Sequence, residues 1–182
     1  MGKNSLVSDI DNTLNALNLL IYRTFSPEKL VYPVPLPEGF WSTPQGMGML
    51  WQAPPIPEVH RMLCALGPGS IIYVTCRPRE TEDMTRRWLR RHGFPEGPIE
   101  FCGGPEEKVK VALQVGATVA LEDDPQCILA YIAAGIPVGG VVWWYNKHFL
   151  REGAAFKVPI LSVAGPGLER WAAANVLCAV AP

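Results

Sequence analysis

The chain has little net charge, no closely paired cysteines and no long apolar run, and each shortage removes a class of function. Lys and Arg number 16 against 17 Asp and Glu, a formal charge of −1 over 182 residues. No global electrostatic attraction to nucleic acid or to an anionic membrane follows from that balance. The five cysteines (Cys64, Cys76, Cys102, Cys127 and Cys178) are scattered and odd in number, without a Cys-x-x-Cys pair. This argues against a zinc ribbon or a disulfide scaffold and fits a reducing compartment, so a cytoplasmic location is expected. No apolar stretch is long enough to span a bilayer, and no membrane partner is expected. The opening Met-Gly-Lys-Asn-Ser lacks the apolar core of a signal peptide, so none is expected either. No internal repeat is present.

A hydrophobic content of 48% over 182 residues is enough for one globular domain, 1–182, with a real core. Prolines cluster between Pro27 and Pro57, among Phe40, Trp41 and Trp51. Such a segment cannot hold a long helix. Its aromatics and methionines nevertheless call for burial, so a compact insert over about 26–56 is expected. Elsewhere apolar strands and helices alternate. Strands are predicted at 6–9, 70–74, 99–102, 118–121 and 138–144. Helices are predicted at 14–25, 57–66, 79–92, 106–115, 125–134 and 168–179. Apolar strands spaced by helices indicate a parallel sheet covered on both faces. The expected fold is α/β: a three-layer Rossmann-like parallel sheet with a small insert between the first and second strands.

In such a sheet ligands collect beyond the carboxyl ends of the strands. Asp9 and Asp11 follow the first strand, Thr75 and Arg77 the second, and Glu122, Asp123 and Asp124 the fourth; Lys108 lies near the start of a helix that opens on the same edge. If extended geometry continues through Asp9 and Asp11, both carboxylates point to one side of the chain. Like charges at about 4 Å repel by roughly 4 kcal/mol at an effective dielectric near 20. A bound cation, a shared proton or solvent must offset that.

Four motifs in this order resemble those of the haloacid dehalogenase-like superfamily of aspartyl phosphatases. They are Asp9-Ile10-Asp11-Asn12-Thr13, Val74-Thr75-Cys76-Arg77, Lys108, and Val119-Ala120-Leu121-Glu122-Asp123. The resemblance spans about residues 5–144. It implies that Asp9 attacks phosphorus to form an aspartyl-phosphate, and that Asp11 acts as general acid and then base. Neighbouring carboxylates are expected to raise the Asp11 pKa and suit it to that work. Thr75 and Lys108 would bind the transferring phosphoryl oxygens, with Lys108 preferred over Lys110 because it opens the helix. Asn12, Thr13, Cys76 and Arg77 are the further substrate-binding candidates. The resemblance also implies Mg²⁺ held by Asp9, the backbone carbonyl of Asp11, Glu122 and Asp123, an oxygen-only set suited to a hard ion. Asp124 precedes Pro125 and also reads as a helix N-cap. An acid at Asp11 favours phosphoryl transfer over carbon–halogen cleavage, since dehalogenase branches lack one there.

The family places its smaller caps where the proline-rich insert lies. Trp41, Trp51 and Phe40 either stack on a base or sugar or pack against the main domain. The stretch from Phe40 to Ile56 and the following helix resemble the cytosolic deoxyribonucleotidases, which implies small phosphorylated substrates with nucleotides slightly ahead. Thr75-x-Arg77-Pro78, with Glu80-Thr81 and Thr85-Arg86-Arg87-Trp88-Leu89, resembles the phosphatase halves of polynucleotide end-healing enzymes and also lipid-binding domains of this fold. Arg86, Arg87, Arg90 and Arg91 read either as contacts to a nucleic-acid backbone or, the preferred reading, as a solvated helix face. The favoured function is a Mg²⁺-dependent phosphomonoester hydrolase. Its rivals are a polynucleotide-end phosphatase, a non-catalytic phospholigand-binding module of the same fold, and a receiver-type signalling domain. Oligomeric state is not legible in the sequence.

Overall fold

The computed structural model describes residues 5–25, 32–66, 69–143, 145–146, 150 and 156–159. At its centre is β1 (Ser5–Ser8), where Leu6 and Val7 are both fully buried. Successive strand side chains point to opposite faces, so two adjacent apolar residues require cover on both sides. Leu6 joins one core with Leu63 and Trp88, and Val7 joins another with Ala112 and Ile128. The first core is closed by α3 (Pro57–Leu66) and α4 (Glu82–Arg91), the second by α5 (Pro105–Gln114) and α6 (Pro125–Ala133). This is the three-layer α/β arrangement expected from the apolar strands.

The other strands are β2 (Ile71–Thr75), β3 (Ile99–Phe101), β4 (Ala117–Glu122), β5 (Val138–Val142) and β6 (Phe156–Pro159). They form one sheet in the order β3-β2-β1-β4-β5-β6. Every pairing is parallel, with Leu6 opposite Ile71 on one side and Val119 on the other. The chain winds outward from β1 to β3 and then crosses to β4. The strand order therefore reverses between β1 and β4, where sheets of this kind open a crevice at their carboxyl ends.

Between β1 and β2 lie α1 (Leu17–Phe25), a short 3₁₀ turn at Phe40–Ser42, α2 (Pro44–Gln52) and α3. Leu17, Ile21, Phe40, Met49, Leu50 and Ala53 form a third, smaller apolar cluster. The helix α2 inside the proline-rich stretch follows from Thr43, whose Oγ1 accepts from the Gly46 amide at 3.1 Å, and from Pro44 in the first turn. Gly46 is required there: a Cβ would lie 2.1 Å from the Phe40 carbonyl oxygen. Trp88 is fully buried and donates its indole N–H to the Ala53 carbonyl at 3.1 Å, tying α4 to this region.

Several boundaries differ from expectation. The first helix begins at Leu17, not at 14, because Asn12 adopts a left-handed conformation with φ 61°. The Asn12 Oδ1 then accepts from the Asn18 amide at 2.7 Å, while Asn15 Oδ1 accepts from the amides of Asn12 and Leu17, each at 3.1 Å. Side-chain bonds of this kind compete with the helix and hold a turn. The helix expected from 79 opens as a 3₁₀ turn, Arg79–Thr81. β6 had no counterpart in the sequence reading. The helix expected at 168–179 lies outside the described residues, as do residues 26–31 of the insert and residue 144. No described helix is long and apolar enough to cross a membrane.

Candidate active site

The amide of Asp9 donates to the Leu121 carbonyl at 3.0 Å, carrying the β1–β4 ladder one residue past β1. That bond sets Asp9 beside the acids that end β4. From α5, Lys108 reaches between them: its Nζ donates to Asp9 Oδ1 at 2.7 Å and to Glu122 Oε2 at 2.9 Å. Asp9, Lys108, Glu122 and Asp123 are all buried. They form the floor of a cavity of about 490 Å³, which Asp11, Thr75, Cys76 and Arg77 also line. Lys110, the rival lysine, is exposed.

Asp9, Glu122 and Asp123 each offer a carboxylate oxygen within 4.8 Å of the others. Burial pushes the Asp9 carboxyl up, Lys108 opposes, and Glu122 and Asp11 add to the rise; the outcome is about 7. Burial, then Glu122 and Asp9, hold Asp123 well above the ordinary carboxylate range. Burial disfavours the Lys108 charge, but Asp9 and Glu122 outweigh it and keep the ammonium protonated. Three carboxylates thus share one buried positive charge, an imbalance relieved by protons or by a hard cation. The oxygen-only donor set fits a divalent ion of that kind.

The acids are not equivalent. Glu122 Oε1 accepts from the amides of Asp123 at 3.0 Å and Asp124 at 3.2 Å, and Oε2 takes Lys108, so both its oxygens are engaged. Asp123 Oδ1 accepts from Thr13 Oγ1 at 2.7 Å, and Oδ2 accepts from the Tyr145 hydroxyl. Asp124 caps α6, its Oδ1 accepting from the amides of Gln126 at 2.8 Å and Cys127 at 3.0 Å.

The expected rise in the Asp11 pKa is corrected by the structure. Burial does favour the neutral acid, but Arg77 donates Nε to Oδ2 at 2.8 Å and Nη2 to Oδ1 at 2.6 Å, and Asn15 adds a bond at 2.9 Å. These contacts hold Asp11 below its ordinary value. The Arg77 guanidinium, which also donates to Thr85 Oγ1 at 3.0 Å, is committed to this pair. Thr75 is buried at the end of β2, and its Oγ1 accepts from the Arg77 amide at 3.2 Å. Thr13 lies fully buried beneath the floor against Asp123. Asn12 turns the chain, and its carbonyl accepts the Trp143 indole N–H at 2.6 Å. Cys76 is exposed.

Two tyrosines complete the site. Tyr145 grips Asp123, and Tyr32 stacks on the Tyr145 ring at 3.7 Å and 6° while its hydroxyl donates to Asp124 Oδ2 at 2.9 Å. Asn146 Nδ2 donates to the Asp123 carbonyl at 2.7 Å and to the Val141 carbonyl at 2.8 Å, fixing the loop after β5. Tyr145 and Asn146 come shortly after β5, a strand-end position that is a signal for the sheet edge, whereas Tyr32 carries no such signal among its prolines. Phe40 and Trp41 line the cavity from the insert, whereas Trp51 packs beside the main core with the Arg91 guanidinium 4.9 Å from its ring centre. Arg86 and Arg87 pair with Glu82 and Asp83 on the exposed side of α4.

No protein-family model matches the chain. A curated Bacillus cereus protein described as a "Putative nucleotidase" is 31% identical over 80 residues, 43% of this chain and 42% of that protein. The match therefore spans less than half of that relative's length. Among solved structures, a haloacid dehalogenase-like protein of unknown function from Agrobacterium tumefaciens superposes with a TM-score of 0.62 at 13% identity, covering 98% of each chain. A haloacid dehalogenase-family hydrolase from Deinococcus radiodurans, with bound phosphate and sodium, gives 0.56 at 15% identity over 85% of this chain and 90% of its own. A haloacid dehalogenase-like family hydrolase from Streptococcus pneumoniae gives 0.54 at 15% identity over 85% and 92%.

Proposed function

The chain has the haloacid dehalogenase-like fold, and from that premise we propose that it is a Mg²⁺-dependent phosphomonoester hydrolase working through an aspartyl-phosphate on small phosphorylated metabolites such as nucleotides. The observation that carries this reading is the convergence of Asp9, Lys108, Glu122 and Asp123 on one buried cavity floor. The Bacillus cereus relative and the phosphate in the Deinococcus radiodurans structure support it.

Lys108 occupies Asp9 Oδ1, so Oδ2 is the oxygen assigned to attack. Its bond to phosphorus forms as the bond from phosphorus to the leaving oxygen breaks, and Asp11 gives that oxygen a proton. A water then loses its proton to Asp11 and attacks phosphorus, releasing phosphate and the Asp9 carboxylate. The Arg77 pair keeps Asp11 ionised, the state the second half-reaction needs. To bring a proton for the first half, Asp11 must leave Arg77. Lys108, part of the floor, and Thr75, which lines the same cavity, would receive phosphoryl oxygens.

Asp9, Asp123 and the Asp11 backbone carbonyl would hold the ion, with Glu122 fixing Lys108 and the turn behind them. Bound there, Mg²⁺ would neutralise charge on the phosphoryl oxygens and on the acids. The described part of the insert, residues 32–56, would act as a small cap, since several of its side chains line the cavity. The test is hydrolysis of p-nitrophenyl phosphate with Mg²⁺ by wild type and Asp9→Asn. Wild-type turnover that EDTA abolishes and that the variant lowers by about 10⁴-fold or more is expected. Undiminished turnover by Asp9→Asn removes the nucleophile assignment.

A further inference from the structure

The cavity has two unlike halves. Its floor is the acidic cluster; its wall comes from α1 and the insert and is mainly apolar, with Leu36, Phe40, Trp41 and Leu50 among its lining residues. Phe40 and Leu50 are buried in the insert's own cluster, whereas Leu36 and Trp41 pack on it and stay half-buried. Phe40 and Trp41 meet edge to face at 5.1 Å, and both line the cavity. Incompletely covered apolar groups around a concave site are what an apolar ligand body completes.

The charges are as informative as the wall. Five carboxylates line the cavity, from Asp9, Asp11, Glu122, Asp123 and Asp124. Among its described lining residues the cations are Arg77 and Lys108, and both are already bonded to those acids. With these acids ionised, two cations and one divalent ion offset four of the five negative charges, so the floor stays net negative even before the phosphoryl group arrives. Among the described residues, no cation remains on the wall to receive a second anionic group. At an effective dielectric near 20, one extra negative charge about 10 Å from an uncompensated one lowers affinity by about tenfold.

We infer that this site selects monophosphate esters of neutral, ring-bearing alcohols, of which nucleosides are one kind, and rejects substrates with a second phosphate or a carboxylate. The inference rests on the phosphatase reading and narrows its substrate class. Discrimination comes from both terms: Trp41 and its neighbours attract the ring, and the acidic floor repels a second charge.

The experiment compares kcat/KM of the Mg²⁺-loaded protein for benzyl phosphate, 4-carboxybenzyl phosphate and glycerol phosphate. Benzyl and 4-carboxybenzyl alcohols are similar leaving groups, so their ratio reads the charge, and benzyl against glycerol reads the ring. Benzyl phosphate is expected to lead each of the others by about tenfold or more. Trp41→Ala should shrink the lead over glycerol phosphate through KM, and Leu36→Lys should shrink the lead over the carboxylated ester. Equal turnover of the benzyl and carboxybenzyl esters, or a preference for glycerol phosphate, overturns the inference while the phosphatase reading stands. No hydrolysis of any ester overturns both.

Discussion

Replacing Lys108 with Met keeps most of the buried stem and removes the charge. In the wild type Lys108 is 3% exposed, and its ammonium lies 2.7 Å from Asp9 and 2.9 Å from Glu122. Each contact is worth about 6 kcal/mol of gross attraction at an effective dielectric near 20. Much of that is offset by the cost of burying the ammonium, so removing one partner of such a cluster costs about 3–5 kcal/mol net. In a domain of this size that corresponds to a fall in Tm of about 6–20 °C. The loss depends on pH in a defined direction. Without Lys108 nothing counters the burial that already lifts Asp9 to about 7, so its carboxyl is neutral at low pH and an unpaired charge at high pH. Thermal unfolding followed by circular dichroism in EDTA should therefore show a wide gap between wild type and Lys108→Met at pH 8 and a narrow one at pH 5. A gap of equal size at both pH values, or none at pH 8, would refute the claim that Lys108 is the buried counter-charge of these acids.

The metal-free wild type should also titrate. Asp9 has an ordinary value of 3.8 and a folded value of about 7, so between the two the folded state binds a proton that the unfolded state does not. Stability in EDTA then falls as pH rises through that window, by on the order of 3 kcal/mol. Asp123 is also raised and acts in the same sense, whereas Asp11, lowered, acts oppositely at lower pH. Denaturant melts from pH 4 to 8 check the sign, and rising stability across the window contradicts it. Tyr145→Phe removes the hydroxyl from Asp123 and spares the ring that stacks on Tyr32, so Mg²⁺ affinity should weaken by about tenfold in calorimetry. An unchanged Kd would mean that Tyr145 does not orient this carboxylate.

Much of the site was legible because parallel sheets gather ligands at one edge, so residues following separate apolar strands were bound to meet there. Asp9, Thr75, Glu122 and Asp123 sit on that edge, and Lys108 reaches it from the start of α5. Most of the strands were readable from short apolar runs, although β3 carries Glu100 at its centre. β6, with Lys157 and Pro159 among its four residues, lacks that pattern and depends on β5 for its place. The Arg77–Asp11 pair was not legible, since 66 residues separate its members and only the neighbouring strand ends bring them together. Its consequence was missed with it: the guanidinium reverses the shift that nearby carboxylates alone would give Asp11. The late start of α1 was hidden for a local reason, because Asn12 and Asn15 satisfy backbone amides that a helix would otherwise use.

The central claim is that Asp9 carries the phosphoryl group between substrate and water. Acid quench of the Mg²⁺-loaded protein during turnover of p-nitrophenyl phosphate, followed by borohydride reduction and peptide mass spectrometry, tests this directly. An acyl phosphate on Asp9 would be reduced to homoserine, and the account predicts that product at Asp9, dependent on substrate and absent without it. Turnover that proceeds with Asp9 unmodified at every time point, or with the phosphoryl group on another residue, would contradict it.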